Sequence, residues 1–462
     1  MLRFFSHYIS SSLLRQMLAD MLVMMLAIGA GIAISGRVAV AMTGELVWAS
    51  LPLFVMAMVM IGALGLYHHV PGRSITSVVA RVVAAFLVAL PIVYVSAPFF
   101  VEVEQARTVL QNIWMAGLAS VAVERILAAK GWLGGVSSVR KVLVLGVGED
   151  ARSVEQAVRA SPELGYLIVG FYPVHPAEPR VVNKQRILPT HTPLFELADQ
   201  LRVDEVIVAL RERRGGVLPL NQLLDCKTAG IQVTELSNFF ERIRGQVRLD
   251  SLRASWLIYG EGFRQSPWRV GVKRGFDIIA SLVLLVVTLP VAAVTALAIV
   301  AETGLPVFYR QERVGQAGRT FEVLKFRSMV TDAERDGKPR WARKNDSRVT
   351  QVGRFIRRTR IDELPQIWNV LRGDMSFVGP RPERPYFVDQ LSTQIPFFAV
   401  RHCVKPGVTG WAQVKYTYGS TVEDAVQKLQ FDLYYVKNHT LFLDMVIILH
   451  TIRVVLSGQG AH

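Results

Sequence analysis

The segment Thr359-Arg360-Ile361-Asp362-Glu363-Leu364-Pro365-Gln366 sets two adjacent carboxylates just behind Arg354, Arg357, Arg358 and Arg360. Such residues suit phosphoryl chemistry. A carboxylate kept ionised among arginines can hold Mg²⁺ or attack phosphorus, and guanidinium groups grip phosphate oxygens in bidentate fashion. Leu364 to Leu371 reads as a helix, with Gly373 as its stop and Pro365 in the first turn, where proline is tolerated. Asp362 then falls at or near the N-cap, where free N–H groups and the helix dipole favour negative charge. An isolated Asp-Glu pair at that position is ordinary capping, so the rest of the chain must decide between the two readings.

Composition narrows the class. The 462 residues are 51% hydrophobic and carry a formal net charge of +15. That length accommodates two or three domains, and the charge calls for an anionic partner such as a phospholipid surface or a nucleotide. Nucleic acid is disfavoured, because no zinc spacing, homeodomain-like segment or RNA-binding aromatic signature is present. Cys226 and Cys403 lie too far apart in sequence to suggest a disulfide framework or a metal site. No secretory signal with a small-residue cleavage site opens the chain.

The elements that must position the carboxylates begin with a membrane domain, residues 1–135. Apolar runs at Met17–Ser35, Trp48–Leu66, Val78–Phe99 and Thr108–Ala128 each approach the ~20 residues a spanning helix needs. Basic residues at Arg3, Arg15, Arg73, Arg81, Arg125, Lys130, Arg140 and Lys141, with acids at Glu45, Glu102 and Glu104, predict four spans with both termini cytoplasmic. Asp20 is expected to reach the headgroups and Arg81 to snorkel. Without paired charges for a transport path, the domain reads as an anchor.

Residues 136–255 read as a Rossmann-like α/β domain. Val142–Leu145, Tyr166–Phe171, Asp204–Leu210 and Gly230–Val233 are strands, with helices running to Ala160 and over Leu194–Leu201. Gly146-Val147-Gly148 invites a dinucleotide reading. Against it, the pattern is minimal, no acid closes the second strand near Phe171-Tyr172, and Glu149 and Asp150 would crowd a pyrophosphate. A regulatory or oligomerising domain is preferred, which admits a homo-oligomer.

Residues 256–462 form a third domain, entered through a linker from Trp256 to Trp268. Its apolar segment Ile278–Ala301 is long enough to span, yet a full crossing would carry the arginine-rich remainder away from a cytoplasmic middle domain. A re-entrant helix over 274–302 is therefore expected in preference to a kinked full span, which composition alone leaves open. Two halves would meet at Pro290, Lys273 and Arg274 would lie at the headgroups, and Thr288 would back-bond a freed carbonyl.

Beyond that segment come Phe308-Tyr309-Arg310-Gln311-Glu312-Arg313-Val314-Gly315, Phe321-Glu322-Val323-Leu324-Lys325-Phe326-Arg327-Ser328-Met329, the Asp362-Glu363 segment, Gly379-Pro380-Arg381-Pro382-Glu383, and Val404-Lys405-Pro406-Gly407-Val408-Thr409-Gly410-Trp411-Ala412-Gln413-Val414. This ordered set resembles the monotopic phosphoglycosyltransferases, bacterial sugar transferases that start glycoconjugate assembly on undecaprenyl phosphate. The resemblance covers roughly the last 190 residues, and the three-domain order is similar to the family's large members. It implies an α/β monotopic catalytic domain on the cytoplasmic face of the inner membrane. The partners it implies are a UDP-sugar, undecaprenyl phosphate and membrane phospholipid. It also implies Asp362 as nucleophile, Glu363 with Asp362 as the Mg²⁺ site, and Lys325, Arg327, Arg357 and Arg381 as phosphate contacts. A Ser-Pro pair marks the helix break in many relatives, where Leu289 precedes Pro290 here. Lys405 and Trp411 are expected to shape the fold, Tyr434 and Tyr435 to be interface aromatics, and Leu441–Val455 to lie against the membrane.

Two other readings exist. An NAD-dependent nucleotide-sugar dehydratase or epimerase would need Tyr-x-x-x-Lys, and no tyrosine here has lysine four residues on. A non-enzymatic scaffold would leave Asp362-Glu363 and Gly-Pro-Arg-Pro unexplained.

Overall fold

The computed structural model describes residues 2–4, 7–9, 11–35, 43–64, 66–67, 75–101, 103–129, 139–162, 165–174, 178–210, 218–249, 266–330, 348–416, 419 and 421–456. Arg73, Glu102, Lys130, linker residues 256–265 and the arginine-rich stretch 340–347 fall outside them. The chain divides into two bodies, one built on Tyr8–Phe239 and the other on Phe240–His462.

The first body opens with four helices, α1 (Ser11–Ser35), α2 (Thr43–Ala63), α3 (Ile75–Ser96) and α4 (Val103–Ala129). Among the described residues, Leu14–Ser35 and Gly44–Gly62 are long and apolar enough to cross a membrane, and Ile75–Pro91 is a shorter apolar stretch. Small residues let these helices approach closely, as is usual where lipid supplies no hydrophobic driving force. A Cβ on Gly31 of α1 would lie 2.6 Å from Ile113 Cγ1 and 2.7 Å from the Ile113 backbone nitrogen on α4. Asn112 on α4 donates to Ser35 Oγ on α1 at 2.9 Å.

Two expectations fail in this bundle. Asp20 is fully buried and bonded to Arg125, 105 residues away, and the Arg125 Nε lies 3.2 Å from Glu124 Oε2. The Arg125 guanidinium also sits over the Tyr67 ring, 4.8 Å from its centroid. Paired charges are therefore present: a buried carboxylate is unstable without a partner, so Asp20 faces α4 instead of the headgroups. Arg81 donates to the Leu64 carbonyl at 2.7 Å, just past the end of α2, where carbonyls lack helical partners.

The rest of this body is the α/β domain read from the sequence. Strands β1 (Arg140–Leu145), β2 (Tyr166–Tyr172), β3 (Glu205–Val208) and β4 (Gln232–Glu235) form a parallel sheet in the order β2-β1-β3-β4. Helix α5 (Glu149–Ala160) follows the glycine loop, and α6 (Leu194–Gln200) and α7 (Leu220–Thr228) supply the other crossovers. Leu143, Leu145, Val206, Val208, Leu194, Ala198 and Leu223 fill the core between sheet and helices. The parallel arrangement explains the continuous apolar strands, since both sheet faces are covered. Helix α8 (Leu236–Arg244) closes the domain and carries the boundary at Phe240, ahead of residue 256.

The second body is organised around α9 (Pro267–Thr303), 37 residues long and only 11% buried over its most apolar window. Pro290 lies inside the helix, with helical backbone on both sides of it. Proline removes one hydrogen bond and the flanking bonds persist. Thr288 Oγ1 donates to the Leu284 carbonyl at 2.7 Å. That is not the Val286 carbonyl, four residues before Pro290, which proline leaves free.

Both ends of α9 are clamped by the same body. Lys273 donates to Asp444 Oδ2 (2.5 Å) and the Val378 carbonyl (3.3 Å), and Arg274 caps the Val370 and Leu371 carbonyls at 2.5 and 2.6 Å. These two cations were expected at the headgroups; buried carbonyls and Asp444 draw them inward. Asp277 Oδ1 accepts from Ser376 Oγ and Phe377 N. At the far end, Arg327 donates to the Thr303 and Gly304 carbonyls, and the Glu302 carboxylate accepts from Gln351 N and Val352 N.

Packed against α9 are an antiparallel hairpin, β5 (Phe308–Val314) with β6 (Thr320–Phe326), then α10 (Gln351–Arg358) and α11 (Gln366–Arg372). A parallel pair, β7 (Ser376–Val378) with β8 (Gly407–Thr409), brackets α12 (Pro385–Gln394). Helices α13 (Trp411–Lys415), α14 (Val422–Asn438) and α15 (Leu441–Leu456) complete it. Trp411, Tyr434 and Tyr435 lie in its core, so the two tyrosines are interior and not interface residues. The Tyr435 hydroxyl lies 2.7 Å from Asp444 Oδ1 and 2.9 Å from the Val378 carbonyl, which satisfies its polar end.

Candidate active site

Helix α10 begins at Thr350, whose hydroxyl accepts from Gly353 N at 2.8 Å, and ends at Thr359. Arg360 then adopts a left-handed backbone, φ 60° and ψ 14°, which turns the chain into a 3₁₀ turn, Ile361–Glu363. A non-glycine residue there costs of order 1 kcal/mol, which the surrounding structure must absorb. Asp362 lies inside that turn and not at an N-cap. The turn's amides are already used, Glu363 N bonding Arg360 O and Leu364 N bonding Ile361 O, so none is left for Asp362 to cap. Pro365 immediately precedes α11, and Gly373, at φ 100°, ends it as expected.

Asn369 fixes α11 to the hairpin. Its side chain accepts from Leu324 N (2.9 Å) and donates to the Glu322 carbonyl (2.7 Å), standing in for a neighbouring strand along β6. This docking presents Lys325 of β6 to the 3₁₀ turn. Lys325 Nζ lies 3.1 Å from Glu363 Oε1, Arg381 Nη2 3.0 Å and Arg360 Nη1 3.7 Å from the same oxygen.

Arg381 is held from three sides. Bare backbones interlock beneath it: a Cβ on Gly379 would come within 2.3 Å of Lys405 O, one on Gly407 within 2.1 Å of Gly379 N, and one on Gly410 within 2.2 Å of Gly379 O. Arg401, ion-paired to buried Asp432 at 2.8 Å, donates to the Arg381 carbonyl at 2.9 Å. Arg313 donates to the Pro382 carbonyl at 3.0 Å.

The electrostatics of the two acids diverge. Burial works against the charge of Glu363, but Lys325, Arg381 and Arg360 outweigh it and hold this carboxyl well below the usual range. Asp362 is pushed the other way, first by burial and then by the Glu363 charge, against the pull of Lys325, Arg357 and Arg360. It is 9% exposed and has no hydrogen-bond partner among the described residues. A carboxyl pushed up in this way is more basic, and its anion is the stronger nucleophile.

Five of the sequence-predicted residues thus come together: Asp362, Glu363, Lys325, Arg381 and Arg357, the last acting on Asp362 through its charge. Arg327 is bonded elsewhere, to the last carbonyls of α9, with its Nε and Nη1 buried and unbonded. Asn369 and the Arg401–Asp432 pair were not anticipated. Their partners lie 45 to 47 and 20 to 31 residues away, beyond any local pattern.

Among the described residues no cluster of three or more His, Cys, Asp or Glu could cage a metal. Mg²⁺ is commonly held by one or two carboxylates plus substrate phosphates, and the ionised Glu363 beside Asp362 fits that donor set.

The chain is similar in sequence to known proteins. A bacterial sugar transferase profile matches residues 268–458, and a CoA-binding domain profile matches residues 62–224. The UDP-N-acetylgalactosamine-undecaprenyl-phosphate N-acetylgalactosaminephosphotransferase of Aeromonas hydrophila is 41% identical over 261 residues, 56% of this chain and 61% of that protein, so the match spans less than two thirds of it. The UDP-glucose:undecaprenyl-phosphate glucose-1-phosphate transferase of Xanthomonas campestris pv. campestris is 31% identical over 409 residues, covering 86% of this chain and 84% of the relative. That of Escherichia coli strain K12 is 31% identical over 352 residues, 74% of each. With similarity extending along most of the chain, and with a catalytic body built around an acid pair ringed by cations, the chain belongs to the bacterial sugar transferases, the phosphoglycosyltransferase family, in the large form with a CoA-binding-type domain ahead of the catalytic one.

Proposed function

We propose that this chain transfers a sugar 1-phosphate from a UDP-sugar to undecaprenyl phosphate, releasing UMP, through a covalent phosphosugar intermediate on Asp362. The observation that carries this reading is the division of labour in the acid pair. Lys325, Arg381 and Arg360 converge on one oxygen of Glu363, while Asp362 beside it is buried and unbonded among the described residues.

In the first displacement an Asp362 oxygen attacks the sugar-linked phosphorus. The Oδ–P bond forms as the bond from that phosphorus to the bridging oxygen breaks, and the electron pair leaves with UMP. In the second, a phosphate oxygen of undecaprenyl phosphate attacks the same phosphorus and the Asp362 carboxylate departs, leaving the sugar on undecaprenyl diphosphate. Splitting the transfer lets a water-soluble donor and a lipid acceptor use one site in turn. Lys325 and Arg381 stabilise charge on the transferring group, and the interlocked glycines keep Arg381 in place. Glu363 and Asp362 would hold Mg²⁺, which when bound neutralises the donor diphosphate.

The membrane arrangement follows from α9. A helix clamped at residues 273–277 and again at 302–304 by one body is better suited to dip into one leaflet than to cross it. With the N-terminal helices read as four spans ahead of the α/β domain, the catalytic body lies, in this proposal, on the cytoplasmic face of the inner membrane, where nucleotide sugars are available.

The test is UMP release from a panel of UDP-sugars with undecaprenyl phosphate and Mg²⁺ in detergent, wild type against Asp362→Asn. Metal-dependent release from one donor, lost in the variant, supports the reaction and identifies the sugar. Equal turnover in both proteins removes Asp362 as nucleophile. Release from no donor, with the protein still required for polymer assembly in cells, favours the scaffold.

A further inference from the structure

A CoA-binding-type domain implies a diphosphate on the glycine loop, cradled by backbone N–H groups at the start of the following helix. Here the loop Gly146-Val147-Gly148 leads from β1 into the 12-residue α5, and its N–H groups are already engaged. Val147 N and Gly148 N both donate to Glu178 Oε1, at 3.0 and 2.9 Å. The segment bearing Glu178 is strapped down by a third bond, Val181 N to Val147 O at 3.1 Å. Glu178 Oε2 is buried with no hydrogen-bond partner. The loop is tight on its inner side as well: a Cβ on Gly146, at φ 124°, would meet the Ala209 carbonyl at 2.5 Å.

We infer that Glu178 is a built-in anion, and that this domain does not take CoA or a dinucleotide at its glycine loop. A carboxylate oxygen accepting two adjacent backbone N–H groups occupies the place of a phosphate oxygen and makes the same contacts. Any incoming diphosphate must displace it and then meet the expelled charge, together with Glu149 and Asp150 in the first turn of α5. A tethered competitor lowers apparent affinity by the fraction of time the cradle stands open. The crowding acid is therefore not chiefly Glu149 or Asp150, as the sequence suggested, but one supplied from beyond β2. The fold keeps a dinucleotide-domain loop and satisfies it internally, which frees the domain from dependence on a cofactor for its stability.

The inference is tested on the full chain in detergent, with UMP in excess to fill the catalytic site, by calorimetric titration of CoA, NAD⁺ and inorganic pyrophosphate. Wild type is expected to bind none of the three. Glu178→Ala is expected to bind pyrophosphate at least about tenfold more tightly than wild type, as removal of a tethered competitor requires. Glu178→Gln, whose amide oxygen can still accept both bonds, is expected to behave like wild type. CoA or NAD⁺ binding equally to wild type and Glu178→Ala overturns the inference, as does a folded Glu178→Ala with no gain for pyrophosphate. If Glu178→Ala does not fold, the wild-type titration decides alone: bound CoA or NAD⁺ rejects the built-in anion, and silence upholds it.

Discussion

Two carboxylate pairs sit in opposite electrical company in this chain. Asp20 and Glu124 share a single guanidinium, Arg125, inside the helical bundle. Asp362 and Glu363 stand among Lys325, Arg357, Arg360 and Arg381. One cation for two acids forms a closed knot that can neither admit another anion nor lose its cation. Four cations for two acids leave positive charge to spare, which is what a diphosphate donor needs. Burial alone does not separate the two, since Asp20 and Asp362 are both buried; the surplus of partners does.

The comparison breaks most decisively at Asp362. Asp362→Asn is expected to lower UMP release by roughly 10³-fold or more, the scale of losing a covalent nucleophile, while leaving the melting temperature near wild type. A rate within tenfold of wild type would make the catalytic pair no more special than the bundle's.

The bundle is expected to respond in stability instead. Arg125→Met leaves two buried carboxylates unpaired and should cost about 3–5 kcal/mol, read as a fall in melting temperature in detergent micelles. Replacing the whole knot, as Asp20→Leu, Glu124→Leu and Arg125→Met together, should recover most of that loss. A triple variant as unstable as the single one would mean that the knot is more than a structural pairing.

Lys325→Met tests whether the cation surplus is used. With Arg381 still in place, a loss of about 10²-fold in kcat is expected for one charge removed from the transferring group. A change confined to KM would assign Lys325 to ground-state binding only.

The smallest effect is a slope in pH, carried by His439 on the catalytic body. Burial, aided by Lys273 and Arg269, lowers this imidazole from 6.5 to about 4, and the neutral ring donates Nδ1–H to the Val436 carbonyl at 2.7 Å. Its contribution is fully present above pH 6.5. It declines as pH falls towards 4, because the unfolded chain takes up a proton that the folded one refuses. Melting temperatures of His439→Gln between pH 7 and pH 4 should therefore fall less steeply than wild type's. Parallel curves would mean His439 titrates normally.

How much of this was legible in the sequence depends on how far apart the interacting residues lie. Strands β1 to β3 announced themselves as short apolar runs, and Gly373 marked the end of α11, because those signals are local; β4, Gln-Val-Thr-Glu, has no such run and lies two residues later than the sequence placed it. Asp362, Glu363, Lys325 and Arg381 were legible through contiguous strings. The N-cap assignment of Asp362 failed because a left-handed Arg360 has no sequence signature and shifts the turn. Asp20 with Arg125, and Arg401 with Asp432, pair across 105 and 31 residues, a distance that only the folded chain closes. Glu178 was invisible for a different reason: its partners are backbone amides, which every residue but proline carries.

The clamped helix has a mechanical consequence. Because α9 is gripped near both ends, at Asp277 and at Glu302, its apolar middle acts as a strut whose load is carried by those grips. Lateral pressure or a change in acyl-chain thickness that flexes the strut would pull on Phe377, next to the loop that presents Arg381, and on Gln351, at the head of the helix leading to Asp362. With α9 seated in one leaflet as proposed, the bilayer becomes a component of the enzyme's rigidity, and turnover measured in short-chain detergent is expected to report on a machine with one of its supports slackened.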